Sequence, residues 1–150
     1  MGKNAGAPVK RAPVNMFRLF AEDTDLRVTT VGELKNTASV IETFEGGINT
    51  LADQTISMLK AETTQVTRPL TEDRTIIDWF ANQRAGLEDK RNCFFVQLDT
   101  AGNDLYRISM EECLLIDHSI VKGDAKAGEE QQMETFTLKP RVIGDREDLQ

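Results

Sequence analysis

Asp117, His118 and Ser119 bring a carboxylate, an imidazole and a hydroxyl together in one run, and His118 is the only histidine in the 150 residues. Those are the side chains of a nucleophilic triad, in which a base activates a hydroxyl and an acid orients the base. The spacing defeats the chemistry. Neighbours on a strand point to opposite faces, so three consecutive residues converge only if the strand bulges. His118 falls in register with Leu114, Ile116 and Ile120, which places it at the margin of an apolar face.

Other chemical groupings are no stronger. Glu111-Glu112 and Glu129-Glu130 are paired carboxylates, but general acid–base work needs a shared pocket that drives two pKa values apart. Neighbours on a strand or loop diverge into solvent instead. Lys122-Gly123-Asp124 and Gly128 lack the spacing of a phosphate-binding loop. Asp99 to Asp104 carries too few oxygen ligands for a calcium loop. Cys93 and Cys113 lie in apolar strand contexts and read as reduced, buried small hydrophobes. No catalytic, cofactor-binding or metal-binding residue is assigned, no cofactor is expected, and the chain does not read as an enzyme.

The totals narrow the class. Hydrophobic residues make up 39% and charged residues 29%, a globular balance for one domain. The net charge of −7 disfavours a nucleic-acid-binding face and docking on anionic lipid. No apolar run approaches the roughly 20 residues that span a bilayer. The start, MGKNAGAPVKRAPVNMF, lacks the apolar stretch of a signal peptide, so a soluble cytoplasmic product is expected.

The elements that would position these residues are mostly strands. Residues 1–14 read as a basic, extended arm, 15–143 as one β domain and 144–150 as a charged tail that frays. Met16–Phe20 and Arg27–Val31 are short strand candidates. Thr37–Phe44 is a strand broken by Gly46-Gly47, and Ile48–Gln54 reads as a loop. Thr55–Arg68 is threonine-rich and reads as one long strand ended by Pro69. One helix is expected, with Thr71 as its N-cap, Ile76, Ile77, Trp79 and Phe80 on its buried face, and Gly86 closing it in a left-handed conformation. Cys93–Leu98 and Leu105–Met110 form a hairpin around Ala101-Gly102-Asn103-Asp104. Cys113–Val121 follows, with Leu114, Ile116 and Ile120 on one face. Lys122–Glu130 is a polar loop. Gln131–Val142 is the last strand, with Phe136, Leu138 and Val142 facing in.

Several of these strands exceed the usual ~5–6 residues and would leave flat edges in a monomer. Copies that add strand to strand and close a ring remove those edges. A large closed barrel would be polar on its inner wall, and Ser57, Asp117, Ser119 and Glu134 are the candidates for it.

The ordered features resemble the tail tube proteins of contractile-tailed bacteriophages. An apolar strand at Met16–Phe20 precedes a strand ending in Glu45-Gly46-Gly47. A threonine-rich strand leads into a helix bearing Trp79. Then come the hairpin FFVQLDTAGNDLYR, the strand LLIDHSIV, the loop KGDAKAGEE and the strand QQMETFTLKP. The resemblance implies a mainly β (α+β) fold, an antiparallel β-sandwich or barrel with one flanking helix. It implies six-membered rings whose inner strands share a barrel, stacked into a hollow conduit for DNA. Ring-stacking candidates are the N-terminal arm and the Gly46–Gln54 loop, Gly46, Gly47, Ile48, Asn49 and Thr50 above all. Implied partners are other copies, a sheath protein, a tape-measure protein in the lumen, and baseplate and tail-terminator proteins, with DNA passing without specific binding and no membrane. The implied location is a virion tail, made in a bacterial host's cytoplasm. A tube protein of a contractile injection or type VI secretion system is the close alternative. A monomeric small-ligand-binding β-barrel is the other.

Overall fold

Asp99 builds the turn at the centre of the sheet. Its Oδ1 accepts the backbone N–H groups of Ala101 and Asn103 at 2.9 and 3.0 Å, and Gly102 supplies the left-handed φ of +87°. The computed structural model describes residues 11–43, 53–120 and 132–150. On either side of the turn run β7 (Arg91–Leu98) and β8 (Asp104–Ile120), paired antiparallel. Two strands were expected where β8 is one strand of 17 residues. Glu112 takes φ +49° there, and its N–H is bonded by Asn92 Oδ1 at 3.0 Å. The strand bulges at that point and continues.

The other edge of β8 is followed by β9 (Met133–Lys139), β10 (Val142–Ile143) and β11 (Glu147–Asp148) in turn. Two expectations change here. The tail does not fray, because Glu147 and Asp148 pair with Arg107 and Tyr106. Val142 is 39% exposed and Ile143 is buried instead, because the turn after Pro140 resets the alternation. The alternation also differs on β8: Leu115 is buried and Ile116 is 49% exposed.

β1 (Phe17–Ala21) pairs with β7 and with the two-residue β2 (Thr24–Asp25). The remaining strands form a ribbon. β3 (Thr30–Val31) pairs with β6 (Thr64–Pro69), and β4 (Asn36–Thr43) pairs with β5 (Asp53–Ala61). Between these blocks Gly32 N–H bonds the Gln65 carbonyl and Glu62 N–H bonds the Lys35 carbonyl, both at 2.9 Å. The expected single strand at Thr55–Arg68 is therefore two strands of one ribbon, held in register across a joint. β6 is also paired with β9, whereas β4–β5 forms a separate two-stranded sheet. Asn36 Nδ2 donates to the Ile143 carbonyl at 3.2 Å and Lys139 Nζ to the Ala61 carbonyl at 2.9 Å, which ties down the ribbon's base.

The helix α1 (Thr75–Arg84) starts later than Thr71. Asp73 controls the start: its Oδ1 accepts the Thr75 N–H at 3.0 Å and the Thr75 hydroxyl at 2.7 Å. Gly86 ends the helix at φ +88°, as expected. Ile76 and Trp79 are fully buried, and Trp79 Nε1 donates to the Asp89 carbonyl. With Leu19, Leu26, Val66, Met110, Leu115, Phe136 and Leu138 they form the core between helix and sheet. The fold is mainly antiparallel β with one flanking helix. Among the described residues the main sheet is open, ordered β2-β1-β7-β8-β9-β6-β3, and does not close into a barrel.

Candidate assembly surface

The polar cluster nearest His118 is structural. Glu134 is 0% exposed and accepts Arg68 Nε at 2.6 Å through Oε1, while its Oε2 lies 2.8 Å from His118 Nε2. Arg68 also donates to the Leu26 carbonyl at 3.1 Å and to Asp73 Oδ2 at 3.0 Å. Buried charges persist where each is paired and hydrogen-bonded, and both are so here. Asp73 is held below its ordinary pKa, first by the hydrogen bond from the Thr75 hydroxyl, then by that from the Thr75 N–H and by Arg68. Glu134 thus leaves the list of channel-wall candidates. It shares a face with Phe136 and Leu138 by the same two-residue period that buries them.

Asp117 and Ser119 lie on the opposite face from His118, exposed, so the three do not converge. Their cross-strand partners define that face. Asp117 stands opposite Thr137, which stands opposite Gln65. Ser119 stands opposite Thr135, then Thr67, then Thr30. These two rows carry hydroxyls, an amide and one carboxylate, and no cation. Thr67 and Thr135 hydroxyls are 3.4 Å apart. Gln65, Thr67, Thr135 and Thr137 were readable as the polar half of TQVTRP and METFTLK. Ser57 lies in β5, with its side chain outside the described residues, as are Gly46, Gly47, Ile48, Asn49 and Thr50.

The remaining chemical groupings have local duties. The Asp99 carboxylate is spent on its turn and on Gln150 Nε2 at 3.0 Å. Glu112 pairs with Arg141 at 2.6 Å. Asp89 is held below its ordinary pKa chiefly by the hydrogen bond from Arg91. Cys93 and Cys113 are free and buried, and the Cys93 thiol is pushed up by its contact with Cys113 and by burial. Glu129, Glu130 and Lys122-Gly123-Asp124 lie outside the described residues. Among the described residues no three His, Cys, Asp or Glu side chains gather to hold a metal ion, and no helix is long and apolar enough to cross a membrane.

What the surface offers instead is unpaired strand. On β4–β5, Val40 is 54% exposed, Ile56 and Met58 62% and Leu59 74%. Large apolar side chains bared at this level mark a surface made to be covered. On β8, residues Asp117–Ile120 pair with β9 along one edge, and no other described strand pairs with them. At the far end of the run β8-β9-β6-β3, β3 is the other open edge, and the chain continues from it into β4 of the separate ribbon.

A polar sheet face, two open edges and an exposed apolar ribbon are the features of a β protein that assembles through its strands. The chain belongs to the T4-like virus tail tube protein gp19 family, whose model matches residues 14–141. Members of that family are structural subunits of a tail tube in a virion or phage-tail-like particle. A comparison with curated proteins returns no match. Solved structures share the fold. The anti-feeding prophage tube-terminating cap is 16% identical over 95% of this chain and 94% of its own, at a TM-score of 0.81. A chain of the PVC extracellular contractile injection system's extended sheath-tube complex is 13% identical over 93% of each chain, at 0.81. A type six secretion system protein is 11% identical over 87% of this chain and 90% of its own, at 0.54.

Proposed function

We propose that six copies close into a ring through their open edges, and that rings stack into a hollow tube through which DNA passes. The observation that carries this reading is the strand order of one unit. β8, β9, β6 and the β3–β4 strand alternate in direction, so the two outer edges run opposite ways. Joining one copy's β8 edge to the next copy's β3–β4 edge continues the antiparallel alternation without a break. Two different edges make a head-to-tail contact, the kind that generates rings.

In such a ring the face bearing Asp117, Ser119, Thr135, Thr137, Thr67 and Gln65 looks into the channel, and the core and helix look outward. The Asp117 and Ser119 rows, with hydroxyls, an amide and one carboxylate, give DNA phosphates little to release counterions against, and Lys139, next on the same face of β9, has its ammonium bound to the Ala61 carbonyl at 2.9 Å. DNA then slides without adsorbing. The β4–β5 ribbon, with Gly46–Thr50 in the segment joining its strands, serves ring-to-ring contacts. A sheath covers the outside, a tape-measure protein fills the lumen before DNA does, and baseplate and terminator proteins meet the two ends. The protein does no catalysis, and it is made in a bacterial host's cytoplasm.

A tube of a contractile injection or type VI secretion machine is the second reading, favoured by the near-complete overlap with the PVC and anti-feeding prophage chains. Capsid and terminase genes beside the coding sequence separate a phage from such a machine. The ligand-binding barrel loses ground because the described strands of a single chain form an open sheet. Negative-stain electron microscopy of concentrated protein tests the reading: rings or tubes support it, and a monomer under every condition rejects it.

A further inference from the structure

The edge of β8 that faces away from β9 has three stretches. β7 pairs with it as far as Cys113. At Leu115 the carboxamide of Gln83 takes over: Oε1 accepts the Leu115 N–H at 3.1 Å, and Nε2 donates to the Leu115 carbonyl. From Asp117 to Ile120 no described strand lies on that edge. One partner that engages both the N–H and the C=O of a single residue reproduces a hydrogen-bonded antiparallel pair. Gln83 sits where a neighbouring strand would otherwise bond Leu115.

The side chain is held there by the helix. Gln83 follows Ile76, Trp79 and Phe80 at the three- and four-residue spacing of the face that packs on the sheet. A polar residue in that apolar stripe was the signal in the sequence, and its role was not read.

We propose that Gln83 is a register stop. A second copy of this chain adds its β3–β4 edge at Asp117–Ile120, and Gln83 prevents it from sliding toward Leu115. This rests on the tube reading. The need for a stop is physical. A slip of one residue exchanges the two faces and is rejected by the polar and apolar pattern. A slip of two residues keeps every side chain on its face, so the pattern does not reject it. A blocked backbone position does. The occupant is a second copy because the opposite edge of the same sheet is open and runs the other way. Exposed Lys35 at the β3–β4 joint also complements exposed Asp117.

The test compares the wild-type chain with Gln83→Leu, which keeps the volume and removes both hydrogen bonds, and with Gln83→Asn, which is one methylene too short to make them. Arg84→Leu is the neighbouring control. Cryo-electron microscopy of assembled protein counts copies per ring. One ring size for wild type and Arg84→Leu, with two or more sizes or open spirals for both Gln83 variants, is expected. The same single ring size in the Gln83 variants overturns the proposal. Hydrogen exchange on wild type needs no variant. On assembly the amides of Asp117–Ile120 should slow by about tenfold or more, while Leu115, protected already in the free chain, changes little. Equal slowing at Leu115 overturns it. A wild-type chain that forms no rings at all sinks the tube reading as well, an outcome distinct from either of these.

Discussion

At the scale of single residues, the buried pair of Arg68 and Glu134, with the partly buried His118 beside it, is the point of greatest leverage. Removing one member of a buried pair leaves an uncompensated charge, which costs about 3–5 kcal/mol. Glu134→Ala should therefore lower the thermal midpoint by roughly 6–20 °C in a domain of this size. The double replacement Arg68→Met with Glu134→Leu should cost less than Glu134→Ala alone, because no buried charge is stranded and the partly exposed Asp73 keeps its hydrogen bonds from Thr75. Calorimetry on both variants reads the difference. Glu134 was misread from sequence because its charge was weighed above its period, and because Arg68 lies 66 residues away. A pairing over that distance leaves no local trace.

Asp89 offers a pH test at the same scale. Its folded pKa lies below the ordinary value of 3.8, chiefly through the hydrogen bond from Arg91. The unfolded chain therefore takes up that proton more readily than the folded chain. The stabilisation is present above about pH 4 and is lost as pH falls through the lower folded value. Asp89→Asn should flatten the loss of stability in that acid range and leave the slope between pH 5 and 8 unchanged, as followed by urea unfolding at each pH.

At the scale of elements, turns were the most legible feature because their chemistry is local. Asp99, Gly102 and Asn103 place the β7–β8 turn within a few residues of one another, and Gly86 marks the helix end in the same way. At Gly102 an added Cβ would meet nothing within 4 Å, so space is not the constraint. The left-handed φ is, and Gly102→Ala should cost about 1–2 kcal/mol by chemical denaturation. The continuity of β8 through Glu112 was not legible, since it depends on Asn92 across the hairpin. The ribbon was half legible. Its threonines announced strand, but the joint at Glu62–Thr63 appears only where β6 meets β9 and β5 does not. In the proposed tube the exposed ribbon residues serve assembly rather than folding. Ile56→Thr with Met58→Lys should change monomer stability by less than about 1 kcal/mol. The same pair should shorten or abolish tubes by electron microscopy while single rings persist.

At the scale of the whole molecule, the fold class and the assembling character were readable, because strand length and alternation report on surfaces a lone chain leaves open. The polar face was readable in part: Asp117 and Ser119 are exposed on it, and the threonines beside them follow from cross-strand register that only the folded sheet supplies. If that face lines a channel, Asp117→Asn leaves ring formation intact and changes only the wall's charge. Loss of rings in that variant would place Asp117 at a subunit contact instead.

The most direct measurement is a cryo-electron microscopy reconstruction of the concentrated protein at a resolution that traces strands. The result expected is a ring in which Asp117–Ile120 of each copy hydrogen-bonds to the β3–β4 edge of the next, with Thr135 and Thr137 facing the channel. A reconstruction in which Asp117–Ile120 faces solvent, or in which copies meet only through the helix, would contradict it.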